Sequence, residues 1–494
     1  PHPHLASPPS PCTRTAMTDD ITHLDATDLA ARIRRRELSS REVVQAHLDR
    51  IAEVNPAINA IVTLDPDGAL AAADAADTLL ARGATPGPLH GLPIAFKDTH
   101  HTRGMRTTHG SPLHADDVPD RDDPLVARIQ AAGAIRIGKT NVPEFAAGSH
   151  TFNTVFGTTR NPYDLGRSAG GSSGGAAAAL AAGMQPIADG SDMGGSLRNP
   201  ASFCNVVGLR PTPGRIPSPP SGSSWETLSV VGPMARTVAD TALLLSAMAG
   251  PDPRSPISLE TPGSAFAVPL ERDLAGLRVA WAPDLGGAVP VDPEVLAVLE
   301  SRLAVFADLG CHVERDSPDF RGADDVFRTL RAHEFNLGLG DVLESSRAAL
   351  KPSLVWNIEE GRRLGSDDLA RATIGHSRLY AEGIDFFDRY DVLLAPVSQV
   401  VAFDADLEYP PTVAGVEQHT YLDWMRSAYF VTLLGAPALS VPAGFTPGGL
   451  PVGLQIVTAP RTDLTVLQVG AAFEAATGYG RRRPHVGPAR PQSA

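Results

Sequence analysis

The chain has 494 residues, 43% hydrophobic and 20% charged, which is ordinary for a globular protein with a large core. A formal net charge of −14 and a pI near 5.5 argue against a nucleic-acid or anionic-membrane partner. The longest apolar runs, at 176–182 and 241–249, are too short to span a bilayer.

Residues 1–16 are Pro/Ser/Thr-rich and lack periodicity, so they read as a disordered extension ahead of a natural start at Met17. Residues 24–35 carry helical periodicity, with Asp25 or Thr27 as cap, and Ser39-Ser40-Arg41-Glu42 opens a second helix with a capping-box pattern. A third, alanine-rich helix is predicted over 69–81. A turn-rich approach then leads into a strand at 94–97, followed by a helix over 123–132 and a strand over 134–137. A helix over 176–182 and a strand over 186–188 flank two Gly/Ser clusters. Beyond them come a strand at 206–210, a helix at 237–249, a strand at 277–282 and a helix opened by Asp292-Pro293-Glu294. Residues 321–390 read as largely helical and irregular. Strands return at 392–395, 439–441 and 452–457, and a helix over 463–476 closes the fold. Short apolar strands alternating with helices predict an α/β fold, a sheet covered by helices on both faces. No repeat or linker divides the chain, so 17–485 is expected as one domain, with a flexible tail at 486–494.

Cys12, Cys204 and Cys311 are few and far apart, which predicts a reducing, cytoplasmic setting and no disulfide framework. Lysine usage is more informative. The 42 basic residues include only Lys97, Lys139 and Lys351. An ammonium can lose its proton when buried and a guanidinium cannot, so each lysine in an arginine-using chain suggests a role that arginine could not fill.

Four motifs compete for the chemistry. Gly133–Thr140 matches a P-loop letter for letter, but its interior is strand-like and a helix precedes it, so it reads as a helix–turn–strand unit. Gly171-Ser172-Ser173-Gly174-Gly175 matches a nucleophile elbow, but a turn, Asn161-Pro162-Tyr163-Asp164, stands where a strand should lead into it. His100, His101, His109 and His114 fit no familiar zinc spacing and read as a solvated loop. The fourth motif joins Lys97, at the end of the apolar run Leu92-Pro93-Ile94-Ala95-Phe96, to the two Gly/Ser clusters at 167–175 and 190–198. A strand buried on both faces places that ammonium in a poorly hydrated site and lowers its pKa toward that of a usable base. The clusters supply hydroxyls and bare N–H groups, which acyl transfer needs as nucleophile and oxyanion donors.

Gly-Leu-Pro-Ile-Ala-Phe-Lys-Asp at 91–98, Gly-Gly-Ser-Ser-Gly-Gly at 170–175 and Ser-Asp-Met-Gly-Gly-Ser-Leu-Arg-Asn-Pro-Ala at 191–201 resemble the amidase signature family, and the likeness covers nearly the whole chain. The resemblance implies that family's fold, a large mixed central β-sheet covered by helices on both faces. It implies a Ser–cis-Ser–Lys triad with Ser196 as nucleophile, Ser172 as bridging serine after a cis Gly171–Ser172 peptide, and Lys97 as base. Backbone N–H groups of Met193, Gly194, Gly195 and Ser196 would form the oxyanion hole, with Ser173, Asp192 and Arg198 in support. Neither cofactor nor metal is implied. Two positions depart from the common family wording, His100-His101 after Lys97-Asp98 and Asn205 after Cys204, and neither touches the triad.

Substrate walls are expected from the variable, helical region at about 320–430, where Phe335, Trp356, Trp424, Tyr429 and Phe430 read either as an aryl-tolerant pocket or as core. The expected partner is a small-molecule amide, with esters and carbamates as secondary substrates, acted on by a monomer or homodimer. The alternative is the glutaminase-type A subunit of a tRNA-dependent amidotransferase; a scaffold that has lost catalysis fits poorly with three intact triad positions.

Overall fold

The computed structural model describes residues 21–218 and 223–486; the expectations for 1–16, for Met17 and for the tail beyond Val486 lie outside them. The chain opens with α1 (Ala26–Arg34) and α2 (Ser40–Ile58), the second bearing the predicted capping box: Glu42 N donates to Ser39 Oγ and Ser39 N to Glu42 Oε2. A short strand β1 (Ile61–Leu64), α3 (Pro66–Ala81), β2 (Pro93–Lys97), α4 (Pro124–Ala131) and β3 (Ile135–Thr140) follow. These strands make a separate three-stranded sheet, β1-β3-β2, with β2 parallel to β3 and β1 antiparallel to it.

The rest of the chain builds α5 (Gly174–Ala181), β4 (Ile187–Asp192), α6 (Arg198–Phe203), β5 (Val207–Arg210), β6 (Val230–Ala235), α7 (Val238–Met248), β7 (Arg278–Trp281), α8 (Pro293–Glu300) and β8 (His312–Arg315). Three long helices, α9 (Ala323–Ser346), α10 (Pro352–Arg363) and α11 (Ser366–Arg389), precede β9 (Val392–Pro396), α12 (Arg426–Thr432), β10 (Ala438–Phe445), β11 (Pro451–Val457) and α13 (Asp463–Thr477). Eight strands form one mixed sheet in the order β8-β7-β9-β11-β10-β5-β6-β4. The β8-β7-β9 side is parallel and the remainder antiparallel.

The strand carrying Lys97 therefore belongs to the small sheet, beside the large one. Side chains close the gap between them. The β2 amide of Ala95 donates to Gln185 Oε1 (2.7 Å) and that of Lys97 to Asp189 Oδ1 (3.1 Å), which satisfies backbone donors that a neighbouring strand would otherwise take. The alanine run behaves as its composition demands: every residue of α5 is buried, and the helix wedges between the layers.

Several expectations need correction. The region 321–390 is not irregular but consists mainly of three regular helices. Asp292 precedes α8, but its side chain does not cap it; Oδ1 accepts from Ala414 N (2.6 Å) instead. Strands β1, β6 and β8 are not among the expected elements. The stretch before the first Gly/Ser cluster is a two-stranded ribbon, Arg160–Asn161 with Asp164–Ser168, and the P-loop-like stretch runs into strand β3, as its strand-like interior predicts. The histidine loop is not solvated as a whole. His101, His109 and His114 are half-buried; His101 and His114 both meet the His109 ring, His109 and His114 pack on Phe145, and burial lowers the His109 pKa to about 4.

Candidate active site

Strand β4 alternates its side chains, so Asp189 and Ser191 share one face and point at the end of β2. There the fully buried Lys97 ammonium meets three hydroxyls: Nζ lies 2.8 Å from Ser172 Oγ, 3.0 Å from Ser173 Oγ and 2.9 Å from Ser191 Oγ. Burial lowers the Lys97 pKa to about 7, against the charges of Asp189 and Asp192, which pull it upward. The Gly171–Ser172 peptide bond is cis. Its carbonyl side is tied down, since Ser149 Oγ donates to Gly171 O (2.8 Å) and Asn199 Nδ2 donates to Ser149 Oγ (3.0 Å).

Ser196 approaches through the backbone: Ser173 N donates to Ser196 O (3.2 Å). The Ser196 hydroxyl is half-buried and makes no hydrogen bond among the described residues, so the Ser172–Ser196 link of the expected relay is not formed here. The turn before Ser196 is held from beneath by Asp192 and Arg198, both fully buried and joined at 2.8 and 2.9 Å. A surface pair is thereby excluded. Burial would raise the Asp192 carboxyl, but the Arg198 charge and hydrogen bonds outweigh it and hold the group below the usual carboxylate range. Arg198 also donates to Ala428 O, Gln455 Oε1 and Thr432 Oγ1, which leaves the pair well satisfied.

The same carboxylate bears on the expected oxyanion donors. Asp192 Oδ1 accepts from Gly195 N (2.9 Å), so this amide, expected as a donor to substrate, is committed to the loop. The amides of Met193, Gly194 and Ser196 have no acceptor among the described residues. Gly195 sits at φ +113°, where a Cβ would come within 2.7 Å of both Ala428 Cβ and Asn199 Nδ2, so the turn admits only glycine.

The structure thus gathers Lys97, Ser172, Ser173 and the Asp192–Arg198 brace, with Ser196 on the adjoining turn. Sequence reasoning missed Ser191, Asp189, Ser149 and Asn199. The alternation along 187–192 could have placed Ser191 and Asp189 beside Lys97, had the strand been carried past residue 188. Of the aromatic pocket candidates, Trp424, Tyr429 and Phe430 are core: Trp424 stacks on Phe203, Tyr429 on Phe327, and Phe430 leans on Phe320. Phe335 and Trp356 are partly buried at the edge of the helical region. Cys204 is a packed thiol, raised far above its usual value by burial. No group of three or more His, Cys, Asp or Glu among the described residues is arranged to hold a metal ion. No described helix is long and apolar enough to cross a membrane.

A family model described as Amidase matches residues 42–467. The chain is 38% identical over 477 residues to an acylamidase of Rhodococcus erythropolis, covering 95% of this chain and 98% of that protein. It is 37% identical over 492 residues to the A subunit of the glutamyl-tRNA(Gln) amidotransferase of Moorella thermoacetica, covering 95% and 99%. Among solved structures it is similar to a bacterial aryl acylamidase of the amidase signature family, with a TM-score of 0.86 at 28% identity, covering 93% of this chain and 97% of the other.

Proposed function

The chain belongs to the amidase signature family, and from that premise we propose that it hydrolyses carboxylic amides through an acyl-enzyme on Ser196. The observation that carries the reading is the buried Lys97 ammonium, 2.8 Å from Ser172 Oγ and lowered to about 7. A neutral amine has one lone pair, so on losing its proton Lys97 becomes an acceptor, and Ser172, the nearest hydroxyl, donates to it. Ser172 in turn accepts the Ser196 proton once substrate closes the gap between the two hydroxyls, as catalytic contacts often tighten only in the complex.

Ser196 Oγ then bonds to the amide carbon, and the carbonyl π pair moves onto oxygen. The Met193 and Gly194 amides, with that of Ser196, receive the resulting oxyanion; losing one such donor typically costs about 3–4 kcal/mol of transition-state stabilisation. The proton on Lys97 returns through Ser172 to the amine nitrogen, and the C–N bond breaks. Water repeats the sequence on the acyl-enzyme, its proton passing to Lys97 and back to Ser196, and releases the acid. Aryl esters and carbamates present the same carbon to the same nucleophile and are proposed as secondary substrates.

A second reading is supported by the likeness to the amidotransferase protein: hydrolysis of glutamine for a partner protein. Assay of the chain alone on simple anilides and on glutamine, without ATP or tRNA, separates the two. Turnover of anilides that Ser196→Ala abolishes, and that Lys97→Ala lowers by at least about 1,000-fold with the fold retained, is the expected result. A folded Lys97→Ala protein with undiminished turnover would refute the base assignment, and glutamine as the sole substrate would favour the second reading.

A further inference from the structure

The helical cover contains a buried arginine that no carboxylate pairs. Arg331, on α9, is only 5% exposed, and no carboxylate of the described residues lies within ion-pair distance of it. The carboxylates on that flank, Asp324 and Asp423, serve Arg328 and Arg426. Arg331 Nη1 donates to Asn357 Oδ1 (2.9 Å) and Nη2 to Tyr421 OH (2.7 Å), and the guanidinium carbon lies 4.1 Å from the Phe335 ring centroid. Of the five N–H groups a guanidinium carries, the others find no acceptor among the described residues.

Tyr421 adds to the imbalance. Its oxygen accepts from Arg331 and also from Asn357 Nδ2 (2.6 Å), while its own O–H proton has no acceptor among the described residues. The three side chains therefore hold an excess of donors and a full positive charge in a place nearly removed from water. Such a charge is costly to bury without a counter-ion. Arg328 adds a like charge that acts on Arg331, and Arg331 in turn acts on Lys351, which stands at the start of α10, turns its ammonium inward onto Ala147 O and has no ion pair within 4 Å among the described residues. Glu144 and Glu408 act on Lys351 from a distance, and Glu408 also acts on Tyr421.

The position relative to the catalytic turn follows from helix geometry. A Cβ on Gly194 would lie 2.9 Å from Met425 Cε and 3.1 Å from Phe327 Cζ, so these two side chains wall the oxyanion turn. Arg331 is one turn beyond Phe327 on the same face of α9, roughly 6 Å along the axis. Tyr421, just ahead of the short 3-10 turn Asp423–Met425, reaches the same guanidinium with its hydroxyl. The donor cluster is thus the next layer of the same wall.

We infer that Arg331, held by Asn357 and Tyr421, anchors a carboxylate carried by the substrate, so that the preferred amides bear an acid group a few bonds from the scissile carbonyl. The planar fork of a guanidinium suits a carboxylate, and the free Tyr421 proton supplies a further donor. This inference rests on the hydrolase reading for its site of turnover. The acid could sit on the acyl side or on the amine side, and matched substrates distinguish them: succinic monoanilide against butyranilide, and 4-acetamidobenzoate against acetanilide.

In one of the two pairs the wild-type protein should favour the acid by on the order of 30-fold in kcat/KM, and Arg331→Gln should erase that preference through KM, with Arg331→Lys retaining part of it. No preference in either pair overturns the inference and leaves the hydrolase reading intact. An equal loss on acid and neutral twin in Arg331→Gln also overturns it, because only a structural role depresses both alike. If the wild type cleaves none of the four, the hydrolase reading fails on its own. Calorimetry of the two acids with Ser196→Ala then decides the site: binding lost in Ser196→Ala/Arg331→Gln supports it, and no Arg331-dependent binding overturns it.

Discussion

Lys97 is governed by opposing influences: burial drives its proton off, and Asp189 and Asp192 hold it on. With the balance near 7, the ammonium is present at acid pH and cannot accept a proton, so kcat/KM is expected to climb with pH through about 7 and level off above it. Asp189→Asn removes an attractive charge while keeping an oxygen for the Lys97 amide. The rising limb should therefore move to lower pH; a limb that stays fixed or moves upward would show that some other group titrates there. Lys97 was legible in the sequence because it is one of three lysines among 42 basic residues and ends an apolar run. Asp189 was less so: alternation along β4 sets it on the face of Ser191, but its meaning comes from an amide 92 residues away.

Among the elements, those with local punctuation were the legible ones. The capping box at Ser39 names its helix in four residues, and Ser39→Ala should cost about 1 kcal/mol of stability, read as a lower urea midpoint at unchanged slope. Strand β6 failed to announce itself because Gly232 and Pro233 read as a turn. Pro233 lies where the ladder to β5 has ended, since β5 pairs only with Met234 and Ala235. Strand β8, His312-Val313-Glu314-Arg315, is a mostly polar edge with no alternation to find. Within 321–390, expected to be irregular, the helices are regular, and Gly361 serves their packing: a Cβ there would fall 2.0 Å from Ala332 O, so the residue permits α10 to lie against α9.

At the scale of the whole molecule, the proposed catalytic groups are brought together around two sheets that share no backbone ladder, and this is what no local pattern could supply. The expectation of a mixed sheet under helices holds for the eight-stranded layer, while β2 brings Lys97 from its own three-stranded one. Helical cover over 323–389 completes the arrangement, with its aromatic residues divided between core and edge.

The scarcity and inward placement of lysine also reach beyond catalysis. Lys97 and Lys139 are wholly buried, and the ammonium of Lys351 is folded back onto a carbonyl. Reagents that acylate primary amines, such as N-hydroxysuccinimide esters, should leave these side chains unmarked on the folded protein and modify all three after denaturation, as peptide mass mapping would register. Surface tethering or fluorescent tagging through lysine would then fail on the native enzyme, and attachment chemistry would have to address its abundant carboxylates instead.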